Sequence, residues 1–155
     1  GLLMGRTKDV DLLTDINSCC EFLNINDSII KNFHAVVGFG LGGTLALQFA
    51  CKRKRLRAAV SYYGKVSQTI PQIGELYCPV LYHHPAQDDW ATDADIQQLQ
   101  EAATARGKQV EVAVYPDTQH AFCNEHRKDV YRPEAADIAW ERTALFLKQC
   151  FQASK

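Results

Sequence analysis

Three short stretches hold the residues whose types and spacing could do chemistry. Gly38-Phe39-Gly40-Leu41-Gly42-Gly43 follows the apolar run Ala35-Val36-Val37 and leads into a helical stretch ending at Lys54. Ala86-Gln87-Asp88-Asp89-Trp90 follows Val80-Leu81-Tyr82. Thr118-Gln119-His120-Ala121-Phe122 follows the alternating run Val110-Glu111-Val112-Ala113-Val114-Tyr115. A turn of the form G-x-S-x-G or G-x-C-x-G lifts its central side chain to the head of a helix, beside N–H groups that can hold an oxyanion. Here the central position is Gly40, and glycine has nothing to lift. Asp89 and His120 come next in the order of a triad, and an Asp–His pair fixes the imidazole tautomer so that one ring nitrogen stays basic.

The elements that must position these residues read as alternating strands and helices. Asp9 to Leu23 is predicted to be helical, with Val10, Leu13, Ile16, Cys20 and Leu23 at helical intervals. Strand 35–39 passes through the turn into helix 43–54; strands follow at 57–62, 80–84 and 110–115. Thr92 is the N-cap of a helix that carries Ile96, Leu99 and Ala103 and stops at Arg106-Gly107. Pro133 opens the last helix, with Trp140, Leu147 and Phe151 along one stripe. This pattern predicts an α/β fold with about four parallel strands in sequential order. Right-handed crossovers then put the connecting helices on one face and leave the other to the terminal helix. In such a sheet, residues that follow strands gather at the carboxyl edge, so Gly40, Asp89 and His120 are expected to converge.

At these residues the chain resembles the dienelactone hydrolase family of α/β-hydrolases. The matching stretches are Val37 to Gly43, Val60-Ser61-Tyr62-Tyr63-Gly64, Cys78 to His84, Tyr115 to Phe122, and the helix 136–146 with Trp140, Arg142 and Thr143. The resemblance implies an ester or lactone hydrolase ancestry, with Asp89 in the place of the acid. It implies that Gly40 stands where the family carries cysteine, or serine, so that Gly40 is a vacated nucleophile position. The amides of Leu41 and Gly42 would form what remains of the oxyanion hole, because the family's first four strands, with the loop that gives the other N–H, have no counterpart before Asp9. Lactone-cleaving members place an arginine where this chain has Asn124, and Arg127 is the nearest substitute. Phe39, Trp90 and Phe122 are the expected apolar walls of the cleft.

Other readings of the same residues are weaker. Gly38, Gly40 and Gly43 fit G-x-G-x-x-G, but Tyr62-Tyr63-Gly64 ends the next strand where a nucleotide site needs an acid. Asp88 and Asp89 can each cap the helix near Thr92. Cys123 follows His120 by three residues, and a thiol on the base's own turn does not readily point at its ring. His83 and His84 leave their strand on opposite faces and are not a metal pair; no cofactor or metal is implied.

The chain has 155 residues, 46% of them hydrophobic, which suits one domain over 1–155 with one core. A net charge of -1 gives no dominant basic face for nucleic acid, and Lys52-Arg53-Lys54-Arg55 reads as a solvated helix end. Six cysteines without metal spacing read as buried thiols in a reducing, cytoplasmic setting. No run is long enough to span a membrane. Gly1-Leu2-Leu3 precede Met4, so the natural product begins at Met4 or the chain is part of a longer reading frame. Strand 35–39 is apolar on both sides yet falls at the sheet's edge, which predicts a homodimer through that edge or the adjacent face, burying ~1,200 Å² or more. Two functional classes follow: slow water-mediated hydrolysis by Asp89 and His120, or a non-catalytic module that binds a small molecule or oligomerises.

Overall fold

Parallel strands cannot be joined by a tight turn, so each connection must return across a face of the sheet. The computed structural model describes residues 8–153; the expectation about Met4 lies outside them. The strands are β1 (His34–Phe39), β2 (Leu56–Tyr62), β3 (Val80–Gln87) and β4 (Val110–Gln119), all parallel, in the order β1-β2-β3-β4. The helices are α1 (Asp9–Asn24), α2 (Leu41–Ala50), α3 (Asp93–Ala105) and α4 (Pro133–Gln152), with a short 3-10 helix over Ile70–Glu75.

Alternation along the strands divides the core into two layers. Ala59, Val80 and Tyr82 face one side, where they meet Leu13 and Cys20 of α1, Leu45 and Phe49 of α2, and Ile96 and Leu99 of α3. Ala58, Val60, Tyr62, Leu81 and Ala113 face the other and meet Ala139 and Phe146 of α4. Three helices therefore share one face and α4 covers the other, as right-handed crossovers require. Helix α2 is buried from Gly43 to Ala50 and lies at the centre of its layer. Each large side chain so buried is worth roughly 1.5–3 kcal/mol.

Several expectations are corrected here. In α1 only Leu13 and Cys20 of the anticipated stripe are buried, and Val10 is exposed, because α1 is the outermost helix of its layer. In α4 the inward stripe is Ala139, Thr143 and Phe146, which turns Trp140 out to 59% exposure. Helix α2 ends at Ala50, before the basic run, and Arg53 is drawn inward, with its Nη1 donating to Asn17 Oδ1 at 2.6 Å and Glu21 Oε1 at 2.8 Å. That contact fastens α1 to the turn after α2. Strands β3 and β4 run on beyond 84 and 115, with an irregularity between Pro85 and Gln87, and so deliver their last residues directly to the carboxyl edge.

Candidate active site

The turn after β1 has a backbone that few residues adopt. Gly40 has φ 54° and ψ -118°, a conformation that strains any residue with a β-carbon. Its own N–H donates to Tyr62 O at 2.9 Å, and its carbonyl accepts from Thr44 N at 3.1 Å, which starts α2. Thr44 Oγ1 accepts from Lys65 N at 2.8 Å and so ties the turn to the end of β2. The bend is tight enough that a Cβ at Gly38 would lie 2.0 Å from Gly42 O. The first-turn amides of Leu41 and Gly42 have no acceptor within the helix, which makes the head of α2 receptive to negative charge.

His120 stands opposite this turn. A Cβ built on Gly40 would lie 3.8 Å from His120 Nε2. The other ring nitrogen, Nδ1, is 3.1 Å from Asp88 Oδ2. The Asp88 side chain is wholly buried whereas that of His120 is 35% exposed. Asp88 is held in turn by Trp90, whose amide donates to Oδ1 at 2.8 Å. The imidazole lies edge-on between Trp90, at 4.9 Å between ring centres, and Tyr63, at 5.1 Å. A carboxylate on one nitrogen and two rings packed at steep angles to it fix the imidazole with Nε2 turned to Gly40. In front of the dyad is a cleft of about 350 Å³ whose walls include Gln87, Asp88, Trp90, His120, Arg127 and Val130.

A family model described as the dienelactone hydrolase family matches residues 3–151. The chain belongs to this family. Among relatives, "Protein usf" of Aquifex pyrophilus is 34% identical over 115 residues, covering 74% of this chain and 50% of that protein. The "Probable 2-oxo-3-(5-oxofuran-2-ylidene)propanoate lactonase" of Bradyrhizobium sp is 27% identical over 150 residues, covering 90% of this chain and 60% of the relative. The chain thus spans about half to three-fifths of the length of these curated relatives. A Klebsiella pneumoniae crystal structure, "Putative Dienelactone Hydrolase", superposes with a TM-score of 0.88 at 24% identity, covering 94% of this chain and 64% of its own. At that identity the likeness shows the fold alone, which is the α/β-hydrolase fold.

In this dienelactone hydrolase family member the structure brings together some of the anticipated site residues and separates others. Gly40, Leu41, Gly42, His120 and Trp90 meet at one edge. The carboxylate against His120 is that of Asp88, a correction to the choice of Asp89, whose side chain is exposed. Phe122 is wholly buried beneath Tyr63 and Tyr115, with centroids at 5.6 and 5.0 Å, and forms no wall. Asn124 lies outside the cleft and accepts from His126 N at 3.1 Å through Oδ1, whereas Arg127 does line the cleft, with its guanidinium engaged by Asp129 at 3.0 and 2.7 Å. Phe39 is 45% exposed and stacks on Tyr62 at 4.4 Å.

Cys123 is hydrogen-bonded to Tyr63, and burial pushes its thiol up to about 12, so it supplies no thiolate at neutral pH. His83 and His84 do part to opposite faces, one to Thr143 of α4 and the other to Asp93 of α3. Among the described residues no cluster of three or more His, Cys, Asp or Glu is placed to hold a metal ion, and no helix is long and apolar enough to cross a membrane. The sequence offers both aspartates after β3, and what distinguishes Asp88 is its carboxylate accepting from the amide two residues on, an Asx-turn that only the folded backbone displays.

Proposed function

We propose that this protein acts on small esters or lactones without a covalent intermediate, because Gly40 occupies the position of the family's nucleophile. His120, oriented by Asp88, is the general base. A water in front of Nε2 gives a proton to the imidazole as its oxygen bonds to the acyl carbon. The carbon–oxygen bond to the leaving group then breaks, and the imidazolium returns the proton to that oxygen. The products are an acid and an alcohol, or one hydroxy acid from a lactone. Amides of Leu41 and Gly42 face the developing oxyanion. The observation that supports this reading is the 3.8 Å between His120 Nε2 and a Cβ built at position 40. General-base assistance of this kind contributes roughly 10²–10⁴-fold, so turnover is slow beside that of a thiol nucleophile. The name of the Bradyrhizobium relative supports a lactone as the substrate type. Six cysteines, none of them in a disulfide, suit a reducing, cytoplasmic setting.

The test is hydrolysis of 4-nitrophenyl acetate and dihydrocoumarin by the parent, His120→Ala and Gly40→Cys proteins. The parent should exceed His120→Ala, and Gly40→Cys should exceed the parent and show an acyl-enzyme burst. Equal rates for parent and His120→Ala would remove the hydrolase reading.

A second reading is favoured by β1, which among the described residues pairs only with β2 and ends in the exposed Phe39. In it the cleft binds a small molecule without turnover, and the β1 edge joins two copies of the chain.

A further inference from the structure

At the opposite edge of the sheet from His120, the amino ends of β2, β3 and β4 border a hollow of about 620 Å³, floored by Leu56, Val80 and Val110 and walled by Phe146 and Cys150. This volume is in the range of small-molecule sites, ~300–1,000 Å³. Past Leu56, Arg57 and Tyr77 the hollow continues into a cleft of about 440 Å³ that also takes in Lys31, Lys54 and Arg55. We infer that this amino-edge groove is a second binding site, for a small phosphate-bearing anion with an apolar body.

Charge is the first argument. Four cations converge on the groove in a chain whose net charge is -1. None of them is in an ion pair; among the described residues the arginine and lysine pairs are Arg53–Glu21 and Arg127–Asp129. Glu111 also lines the hollow and, among the described residues, is in no ion pair with any of them. Like charges gathered without partners repel one another, and a bound dianion reverses that repulsion.

Preorganisation is the second. The Arg57 guanidinium lies 5.1 Å from the centre of the Phe33 ring, and its Nε is buried without a partner, so its terminal amino groups are the ones left to bind. A planar guanidinium held in this way suits two phosphate oxygens at once. Lys54 Nζ stands 6.0 Å over Tyr77, at the junction of the two compartments. The phosphate thus sits among the cations while the apolar body enters the hollow between Val80 and Phe146. Lys31, Lys54 and Arg55 also line a neighbouring cleft with Lys52 and Arg53, so a nucleic acid, which needs cations along an extended face, is the alternative occupant that the test has to separate.

Calorimetry on the whole chain with 1-naphthyl phosphate and 1-naphthol is the test, because the two probes share the ring and differ in the phosphate. The phosphate ester should bind about tenfold or more tightly than the alcohol, with affinity falling as salt rises. Arg57→Gln and Lys54→Gln should each weaken it by about tenfold. Lys54 is exposed, so its variant stays informative even where Arg57→Gln fails to fold. Equal binding of the two probes, no saturable binding of the phosphate at millimolar concentration, or unchanged affinity in the folded variants would each overturn the inference. So would a single-stranded oligonucleotide that binds more tightly and depends on the same two residues.

Discussion

Two neighbouring aspartates look alike in a sequence and have opposite fates in the structure. Asp88 is wholly buried, with one oxygen taken by the Trp90 amide and the other 3.1 Å from His120 Nδ1. Asp89 is exposed on the rim of the same cleft. Spacing places both after β3 and cannot say which one the local turn folds inward. The Asx-turn decides, since capturing the amide two residues on brings the Asp88 carboxylate back over the strand end. Asp88→Asn should therefore lower the His120-dependent hydrolysis of 4-nitrophenyl acetate by about 10²-fold or more, through loss of the group that orients and charges the imidazole. Asp89→Asn, an exposed substitution, should change it by no more than about twofold. A reversal of the two effects would return the acid's role to Asp89. Arg127 shows the same limit of legibility, because its position in the cleft depends on how the segment after His120 coils, and that segment has no periodicity to read.

Elements were far more legible than side-chain directions. Apolar runs at 35–39, 57–62, 80–84 and 110–115 each became a strand, and Thr92 caps α3 through a reciprocal pair, Thr92 N to Asp95 Oδ2 at 2.9 Å and Asp95 N to Thr92 Oγ1 at 3.3 Å. The terminal helix was legible in place but not in rotation. Its aromatic residue Trp140 is turned outward, while the small Ala139 and Thr143 face the sheet and let α4 approach closely enough for Tyr62 OH to donate to Ala139 O at 3.1 Å. Strand β1 carries a consequence for assembly. It pairs with β2 on one side, its middle residues Ala35, Val36 and Val37 are only partly covered, and Phe39 is exposed. An unpaired apolar edge is a template for a further strand. Sedimentation velocity should show a dimer at micromolar concentration, and Phe39→Lys should shift it to monomer, because a lysine on an edge blocks strand addition. A parent protein that stays monomeric as concentration rises would sink the homodimer.

Across the whole molecule, the layer between α4 and the sheet is held by a closed set of polar contacts as well as by apolar packing. His83 is wholly buried, with Nδ1 at 2.8 Å from Tyr115 OH and Nε2 at 2.8 Å from Thr143 Oγ1, and Thr143 Oγ1 is also 2.6 Å from Tyr62 OH. A neutral imidazole uses one nitrogen as donor and the other as acceptor, and the two hydroxyls can match it. Protonation would make both nitrogens donors in a dry layer with the Arg142 charge nearby; burial first, and that charge second, lower the imidazole from 6.5 to about 3. The folded state therefore stays neutral at this site between about 6.5 and 3 while the unfolded chain takes up a proton. Stability contributed by the neutral form is fully present above 6.5 and is lost as the pH falls through that window, with a limiting slope of about 1.4 kcal/mol per pH unit for one such group. Urea unfolding of the parent should accordingly show a falling midpoint from pH 7 to pH 4. His83→Gln keeps a donor and an acceptor but cannot titrate, so its acid limb should be shallower by up to that slope, even though the variant is less stable at neutral pH. Identical acid limbs in the two proteins would mean that His83 is not the group whose burial makes the α4 layer sensitive to acid.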